Sequence, residues 1–372
     1  MSKQKIINEY LFDPLKNDSI VIVVQNNSIV IVVQVHKRIT YLRHLIVSLA
    51  QARDISQTLL IFSHDFYDEE INELVQSIDF CKVMQIFYPF SIQMHPNEFP
   101  GTDPKDCKRD VKGNQALVTN CQNAQFPDLY GHYREASFTQ MKHHWWWKLN
   151  RIFDQLKVTR NHAGMLLLLE DDYYVSPDFL HVLGKLKTTS EQFCPYCNIM
   201  SLGSYADVLN LDNYYKVEVS PWLTSKHNMG MAFDKTTWND MKSCAKHFCD
   251  YDDYNYDWSL QNVNYQCLKS KLHAIISQGP RIFHIVQKYR NLNKFDSSGV
   301  HHNSKNCDSS QIVSKVQAVI EKAAIAGQLF PKYLKVAKIY EEDDFVDIIK
   351  ANGGWSDLRD IILCLNMTLD LR

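Results

Sequence analysis

Three carboxylates stand directly after an uninterrupted apolar run in the middle of the chain. Residues 165–169 read MLLLL, and Glu170-Asp171-Asp172 follows at once. Such a run predicts a buried strand, and strand ends in open α/β sheets face the ligand crevice. Clustered negative charge there costs free energy unless a cation compensates it, and Mn²⁺ or Mg²⁺ binds carboxylate oxygens while leaving positions for a diphosphate. The alternative is a solvated loop or helix N-terminus ahead of Pro177.

A second acidic cluster occupies residues 249–258, which read CDYDDYNYDW. Carboxylates among aromatic rings suit a sugar site, because a sugar needs a platform for its C–H faces and a base within reach of its hydroxyl group. The candidate bases are Asp252, Asp253 and Asp257. The alternative is a capped helix start, with acidic residues in the first turn before Trp258.

A histidine and a tryptophan-rich run could belong to the same site. His284 ends a short strand-like run, PRIFH. Alone, such a histidine is more often a satisfied core or surface residue, but beside an acidic metal site a ligand role is reasonable. Residues 142–148 read KHHWWWK. Helical spacing cannot place three consecutive tryptophans on one face, so we expect them mainly in the core. Lys142 and His143 are better placed to meet phosphate.

The elements that must position these groups alternate between strand and helix in the first third of the chain. The expected strands cover residues 29–35, 59–62, 83–88, 165–169 and 199–204, and the expected helices cover residues 42–49, 68–78, 137–156 and 310–324. Alternation of this kind predicts an α/β fold with a mostly parallel sheet and flanking helices. No glycine precedes Gly101, which excludes a glycine-rich phosphate loop in this half. A nucleotide must be held there by side chains and a metal.

Charge and cysteine content restrict the partners and the compartment. The net charge of -2 argues against nucleic acid as a partner. Ten cysteines in 372 residues indicate an oxidising compartment. Cys107 and Cys121 would close the long loop over residues 89–133. Cys194 and Cys197 have redox-motif spacing, yet they lie between a helix and a strand, which favours a tight structural disulfide over a thioredoxin-like or zinc site.

The N-terminal region is unusual in two respects. It contains neither a signal peptide nor the run of about 20 apolar residues that a membrane helix needs, so we expect a missing anchor. Residues 17–25 (NDSIVIVVQ) are nearly repeated by residues 26–34 (NNSIVIVVQ), and only the second copy leads into a helix. The first copy is an added edge strand or a sequence artefact. The expected domains are an N-terminal remnant (1–27), a single large catalytic domain (28–364) and a C-terminal tail (365–372).

Long strings in this chain resemble the N-acetylglucosaminyltransferase II family. In order, they are QVHKR (34–38), FSHDF (62–66), PFSIQMHPNEFPGTDPKDC (89–107), GHYREASFTQMKHHWWWKL (131–149), LEDDYYVSPDF (169–179), HNMGMAF (227–233), CDYDDYNYDW, PRIFH and NGGWSDLRD (352–360). The resemblance implies a Rossmann-like GT-A domain that uses UDP-GlcNAc and Mn²⁺. It implies inverting transfer of GlcNAc to the 2-hydroxyl of the α1,6-arm mannose of N-glycans on glycoproteins. The β1,2 bond would start the second antenna, in the Golgi lumen, by a type II membrane protein.

The resemblance also implies roles for individual residues. Asp257 would be the base, and Asp172 and His284 would bind the metal. Residues matched to uridine diphosphate binding are Gln34, Val35, His36, Lys37, Arg38, Asp65, Gln140, Met141, Lys142, His143 and His144. Residues matched to the acceptor are Arg109, Asp128, Tyr254 and Tyr256. Besides Cys107–Cys121 and Cys194–Cys197, the implied disulfides are Cys244–Cys267 and Cys249–Cys364.

The chain departs from the family pattern at several positions. Asp171 replaces a glutamate, Tyr256 stands in place of a tryptophan beside the base, and Leu209 in place of a substrate-binding arginine. The segment after His284 (285–300) is longer than usual, and Cys81 and Cys307 lack obvious partners. Two other functions stay open, a β1,2-GlcNAc transferase with another acceptor and an inactive glycan-binding relative. A homodimer also stays open.

Overall fold

The computed structural model describes residues 9–12 (backbone only), 28–204, 211–286, 309–341 and 350–369. In these ranges the strands are β1 Glu9–Phe12, β2 Val30–Val35, β3 Leu59–His64, β4 Lys82–Phe87, β5 Leu166–Glu170, β6 Tyr173–Val175, β7 Ile199–Ser201, β8 Lys216–Pro221, β9 Met231–Phe233, β10 His273–Ser277, β11 Ile282–His284 and β12 Lys335–Ile339. The helices are α1 Ile39–Ala50, α2 Glu69–Gln76, α3 Gly113–Thr119, α4 Ala136–Asn150, α5 Phe179–Phe193, α6 Thr224–His227, α7 Lys235–Ser243, α8 Ala245–Cys249, α9 Tyr256–Gln266, α10 Ser309–Ile325 and α11 Leu358–Thr368.

The main sheet has the strand order β1-β4-β3-β2-β5-β9-β7-β10-β8-β12. Strands β4, β3, β2 and β5 are mutually parallel, and antiparallel pairings occur at β1, on both sides of β9 and between β10 and β8. The predicted α/β class, a mostly parallel sheet with flanking helices, is confirmed. The first copy of the duplicated segment, Leu209, Cys307 and residues 287–300 lie outside the described residues.

Alternate residues of β2 face two different cores, which explains its continuous β-branched sequence. Ile31 and Val33 pack in one cluster with Leu45 of α1, and Val32 packs in another with Trp146 of α4. Residues in a strand point alternately to opposite faces, so a strand covered by helices on both sides reads as an unbroken apolar run. The expected core location of the tryptophans is confirmed for residues 145 and 146, and residue 147 is half-buried.

Four disulfides reinforce the described part of the fold. The bonded pairs are Cys107–Cys121, Cys194–Cys197, Cys244–Cys267 and Cys249–Cys364, which are the four expected pairs. The last of them joins α8 to α11. Cys81 is buried and free within the described residues. Across those same residues, every helix is too short or too polar to span a bilayer.

Candidate active site

The carboxyl ends of β3, β2 and β5 bring three sequence motifs together. The strands pair in that order, so residues that follow them meet at one edge of the sheet. His36, after β2, has its Nδ1 atom 2.6 Å from Oδ2 of Asp65, after β3. The backbone N–H of His36 donates to Oδ2 of Asp171, after β5, at 2.9 Å. Desolvation alone would lower the pKa of His36, but the interaction with Asp65 is stronger and raises this pKa to about 9. We call residues 170–172 with His36 and Arg38 the acidic corner.

Arg38 joins the two aspartates of the acidic corner. It donates to Oδ1 of Asp171 at 2.5 Å and to Oδ2 of Asp172 at 2.8 Å. Burial is the larger influence at Asp171 and raises its pKa to about 6. At Asp172 burial is outweighed by His284 and Arg38, which lower the pKa to about 2. The two aspartates therefore differ, and Asp172 stays ionised to a lower pH than Asp171.

A short antiparallel pairing brings His284 to the acidic corner from more than a hundred residues away. β11 pairs with β6 so that His284 lies opposite Tyr173. Its Nε2 atom is 3.2 Å from Oδ2 of Asp172. Burial alone would lower the pKa of His284, but the interaction with Asp172 is stronger and raises this pKa. The structure thus brings together the two residues that the sequence predicts as metal ligands.

The donor atoms of Asp172 and His284 suit a divalent cation. Oδ1 of Asp172 is buried and has no hydrogen-bond partner among the described residues. A carboxylate oxygen beside an imidazole nitrogen is a ligand pair that Mn²⁺ accepts. No group of three or more acidic, histidine or cysteine side chains that could hold a metal occurs within the described ranges. Any cation held here would need further ligands from a substrate or from water.

A cavity of about 420 Å³ opens at the ends of β3 and β4, beside the acidic corner. Its lining consists of His64, Asp65, Phe66, Tyr67, Phe87, Tyr88, Pro89, Ser91, Gln93 and Met94. Asp65 accepts a hydrogen bond from Gln140 at 3.1 Å. Burial opposes ionisation of Asp65, but His36 lowers its pKa to about 2. Lys37 lies 3.8 Å from the Phe66 ring centroid, and Met141 is half-buried beside Gln140. An ionised carboxylate among aromatic rings suits a flat heterocycle with an N–H group.

Lys142 and His143 lie on the buried face of α4, at most 1% exposed. Lys142 donates to the carbonyls of Tyr251 and Asp253, each at 3.0 Å. Nε2 of His143 is 2.9 Å from Oδ1 of Asp360. A side chain that is already bonded inside the core is not available to a phosphate, so we do not retain the phosphate contact expected for these two residues.

Three further residues matched to nucleotide binding also face the interior. Gln34 accepts a 2.6 Å hydrogen bond from Lys148. Nε2 of His144 is 2.7 Å from Oγ of Ser63. Val35 is fully buried in β2. Their side chains are packed or hydrogen-bonded in the interior, and they do not line the 420 Å³ cavity. Within that motif, His36, Lys37 and Arg38 are the side chains that reach the site.

Asp257 lies in the first turn of α9, where two donors fix its carboxylate. Oδ2 accepts from Asn228 and Oδ1 accepts from the backbone N–H of Trp258, both at 2.9 Å. Desolvation, assisted by the charges of Asp253 and Glu170, raises the pKa of Asp257 to about 6. A carboxylate tuned in this way is a stronger proton acceptor than an ordinary one and is still ionised at neutral pH. The acidic first turn of the alternative interpretation is also present, but the side chain of Asn255, which precedes α9, does not cap the helix.

The other two candidate bases hold loops together. Asp253 accepts at 2.8 Å from the backbone and side-chain amides of Asn352. Asp252 accepts from the backbone N–H groups of Leu129 and Trp355 at 2.8 and 2.9 Å. These donors engage Asp252 and Asp253 in holding loops, whereas Asp257 directly follows Tyr256, which is hydrogen-bonded to the acidic corner. Asp257 is therefore the candidate base of this cluster.

Tyr256 is placed differently from the acceptor platform that the sequence suggests. Its ring stacks on Trp145, with centroids 4.6 Å apart and planes 9° apart. Its hydroxyl donates to Oε1 of Glu170 at 3.0 Å. One ring face is thus covered by the core, and the hydroxyl points to the acidic corner.

A second cavity, of about 230 Å³, contains Arg109, Asp128 and Tyr254. The structure therefore brings together the other three residues matched to the acceptor. Asp128 accepts from the backbone N–H of Gly354 at 2.8 Å. Gly353 has φ 84°, and a Cβ atom there would lie 2.5 Å from Asp128 Oδ2. Both the backbone angle and the space require glycine at this position, which the Gly-Gly pair in the sequence could have indicated.

Comparison with known proteins identifies the family of this chain. The family model described as N-acetylglucosaminyltransferase II (MGAT2) matches residues 2–364. The alpha-1,6-mannosyl-glycoprotein 2-beta-N-acetylglucosaminyltransferase of Sus scrofa is 44% identical over 332 residues, which are 89% of this chain and 71% of the relative. The protein of that name from Homo sapiens is 43% identical over 334 residues, with 89% and 71% covered. The one from Arabidopsis thaliana is 31% identical over 360 residues, with 96% and 77% covered. The chain belongs to the N-acetylglucosaminyltransferase II family.

Proposed function

We propose that this protein transfers GlcNAc from UDP-GlcNAc to the 2-hydroxyl of the α1,6-arm mannose of an N-glycan. The β1,2 bond would start the second antenna. The observation that carries the proposal is the placement of Asp257, a carboxylate with a raised pKa of about 6, on a helix that is hydrogen-bonded to the acidic corner through Tyr256 and Glu170. The names of the relatives point to the same reaction.

In the proposed reaction, Asp257 takes the proton of the mannose 2-hydroxyl while that oxygen attacks the anomeric carbon of the donor. The hydrogen bond from Asn228 to Oδ2 fixes the orientation of the carboxylate. One displacement inverts the anomeric configuration, so the site needs one base and no second carboxylate as nucleophile. Proton removal by a positioned base is worth about 10²- to 10⁴-fold in rate.

The acidic corner and the 420 Å³ cavity would hold the donor. Asp172 and His284 would bind the divalent cation, for which the family resemblance implies Mn²⁺. A cation bound there would neutralise charge on the departing diphosphate. Lys37 and Arg38 add fixed positive charge, and His36, whose pKa is raised to about 9, is protonated at neutral pH. Asp65 would accept the ring N–H of the uracil.

The 230 Å³ cavity would hold part of the acceptor glycan. Phe138 and Tyr254 stack in its wall, with centroids 4.9 Å apart, and form a flat surface for the C–H face of a sugar. Arg109 and Asp128 supply polar groups at the rim. Glycoproteins with N-glycans would be the natural partners, in the Golgi lumen. An N-terminal membrane anchor and a homodimer belong to the same proposal.

Gly353→Ala should weaken acceptor binding. The added Cβ atom would press on Asp128 and would occupy a backbone angle that alanine rarely adopts. We expect the KM for the acceptor to rise about tenfold, which corresponds to ~1.4 kcal/mol, with UDP affinity unchanged. Gly113→Ala is the matched control, since a Cβ atom there meets no described atom within 4 Å. An unchanged acceptor KM in the Gly353 variant would place the acceptor elsewhere.

The pH dependence of kcat/KM for the acceptor should report Asp257. Its carboxyl group must be deprotonated to accept a proton, and burial raises its pKa to about 6. The rate should therefore fall as the pH drops below 6, by about tenfold per unit at the acidic end. A rate profile measured at constant Mn²⁺ checks this. A profile that stays flat down to about pH 4.5 would argue against a base with this raised pKa.

The direct test of the proposed function is transfer to a glycan that carries GlcNAc on the other arm only. UDP release and linkage analysis of the product would be measured with and without Mn²⁺. We expect Mn²⁺-dependent turnover and a new β1,2 bond on the α1,6-arm mannose. Turnover on an unextended glycan alone would assign a different acceptor. Glycan binding without any turnover would identify an inactive binding protein.

A further inference from the structure

A hydrogen bond crosses from the helix of the proposed base to the acidic corner. Tyr256 opens α9 immediately before Asp257, and Glu170 ends β5 immediately before Asp171 and Asp172. The Tyr256 hydroxyl donates to Oε1 of Glu170 at 3.0 Å. Tyr256 is thus the chain neighbour of the proposed base, and Glu170 is the chain neighbour of the aspartates of the acidic corner. An inverting transfer needs the base and the acidic corner at a fixed separation.

The core restrains the direction of that hydroxyl. Tyr256 stacks on Trp145, and Trp145 stacks on Phe248 with centroids 5.6 Å apart. Trp145 is only 2% exposed. A ring clamped against such a stack has little freedom to tilt, so the position of the hydroxyl is set by α4 and α8 as well as by its hydrogen-bond partner. Tyr256 thus connects the aromatic core, through its ring, to the end of β5, through its hydroxyl.

Hydrogen bonds to carboxylates are stronger than those between neutral groups. Glu170 also lies in the field of positive groups, since its charge acts on Lys148 and Arg38. These cations attract the Glu170 carboxylate without fixing its orientation. The hydrogen bond from the Tyr256 hydroxyl fixes that orientation. Loss of the hydroxyl would leave the end of β5 and the start of α9 without this direct bond.

We propose that Tyr256 is a positioning residue, whose hydroxyl acts through Glu170 to hold Asp257 at its working distance from the acidic corner. The inference rests on the function proposed above and deepens it. Misplacement of a reacting group by 1 Å can cost about 10²-fold in rate, and loss of one hydrogen bond to a charged group is worth about tenfold. The sequence-based expectation, an acceptor platform, predicts a different kinetic result.

Tyr256→Phe separates the two roles, because it keeps the ring and removes only the hydroxyl. The positioning role predicts a kcat about tenfold lower, with KM for the acceptor and affinity for UDP unchanged. Tyr196→Phe, an exposed tyrosine packed edge-on against His273, is the control and should leave all three unchanged. An unchanged kcat in Tyr256→Phe overturns the proposal. A raised acceptor KM at constant kcat also overturns it and assigns Tyr256 to the acceptor.

A double-mutant cycle with Glu170→Ala identifies the partner. If the hydroxyl acts through Glu170, Tyr256→Phe causes no further loss of kcat in the Glu170→Ala background, and additive losses overturn the proposal. A wild-type chain without transfer activity would contradict the proposed function but not this link. The same cycle measured by free energies of unfolding then decides. Non-additive effects support the Tyr256–Glu170 bond, and additive effects refute it.

Discussion

Asp257→Asn is expected to lower kcat by about 10²- to 10⁴-fold while leaving the affinity for UDP unchanged. Asparagine has nearly the shape of aspartate and can still accept from the backbone N–H of Trp258, so α9 should keep its start. It cannot take up a proton at neutral pH. Single-turnover transfer assays and UDP calorimetry on the same preparation measure the two quantities.

Two outcomes would contradict this assignment of the base. Lost UDP binding in Asp257→Asn would place Asp257 in the donor site. Retained turnover would move the base role to another residue. Asp252→Asn is a useful companion variant, because Asp252 binds the backbone of Leu129 and Trp355 and should affect stability more than the chemical step.

Asp172→Asn should abolish most of the Mn²⁺-dependent part of UDP binding. The substitution removes one charge from the pair that Asp172 forms with His284, at 3.2 Å, and leaves a weaker ligand for a hard cation. We expect the affinity for UDP in Mn²⁺ to drop by about 10²-fold, since even residues behind metal ligands matter by 10- to 100-fold. Calorimetry with and without Mn²⁺ gives both affinities.

The same experiment contains its own controls. UDP affinity without Mn²⁺ should be similar in the wild type and Asp172→Asn, and Asp257→Asn should keep the full Mn²⁺ response. If Asp172→Asn binds UDP in Mn²⁺ as the wild type does, Asp172 is not a metal ligand. If it loses UDP binding in both conditions, the substitution has disturbed the acidic corner through Arg38.

The parallel half of the fold could be predicted from sequence because its strands are buried on both faces. Apolar runs cover β2 and β5 almost residue by residue, and the helix expected over residues 137–156 corresponds to α4 and the π-helical turn that follows it. The helix expected over residues 68–78 is α2, which Asp68 caps by accepting from the N–H of Ile71. Local pattern and tertiary packing agree in these elements.

The antiparallel insertion could not be predicted in the same way. β9 has three residues and lies between β5 and β7, with antiparallel partners on both sides. Its short apolar sequence is too brief to show a period, and its pairing depends on segments distant in sequence. β6 and β11 are equally short, yet their pairing is what brings His284 to Asp172.

Side-chain direction at the site was the least accessible feature from sequence. The run at residues 142–148 groups its polar and aromatic residues in blocks, without the helical period that would show which face of α4 is buried. Lys142 is inside because two backbone carbonyls satisfy its charge. Nothing in the spacing of Tyr256 indicates that its ring lies on Trp145. Such contacts depend on elements that meet only in the folded chain.

Helix α11 supports the site and is synthesised after the residues that form it. Its Asp360 binds Arg134 at 2.7 Å and His143 at 2.9 Å, and its Cys364 is bonded to Cys249. These anchors follow every proposed donor, metal and base residue along the chain. A ribosome therefore releases all the catalytic groups before the element that secures α4 and α8. A polypeptide interrupted before Asp360 would carry the full set of reactive side chains without the clamp that holds them in place.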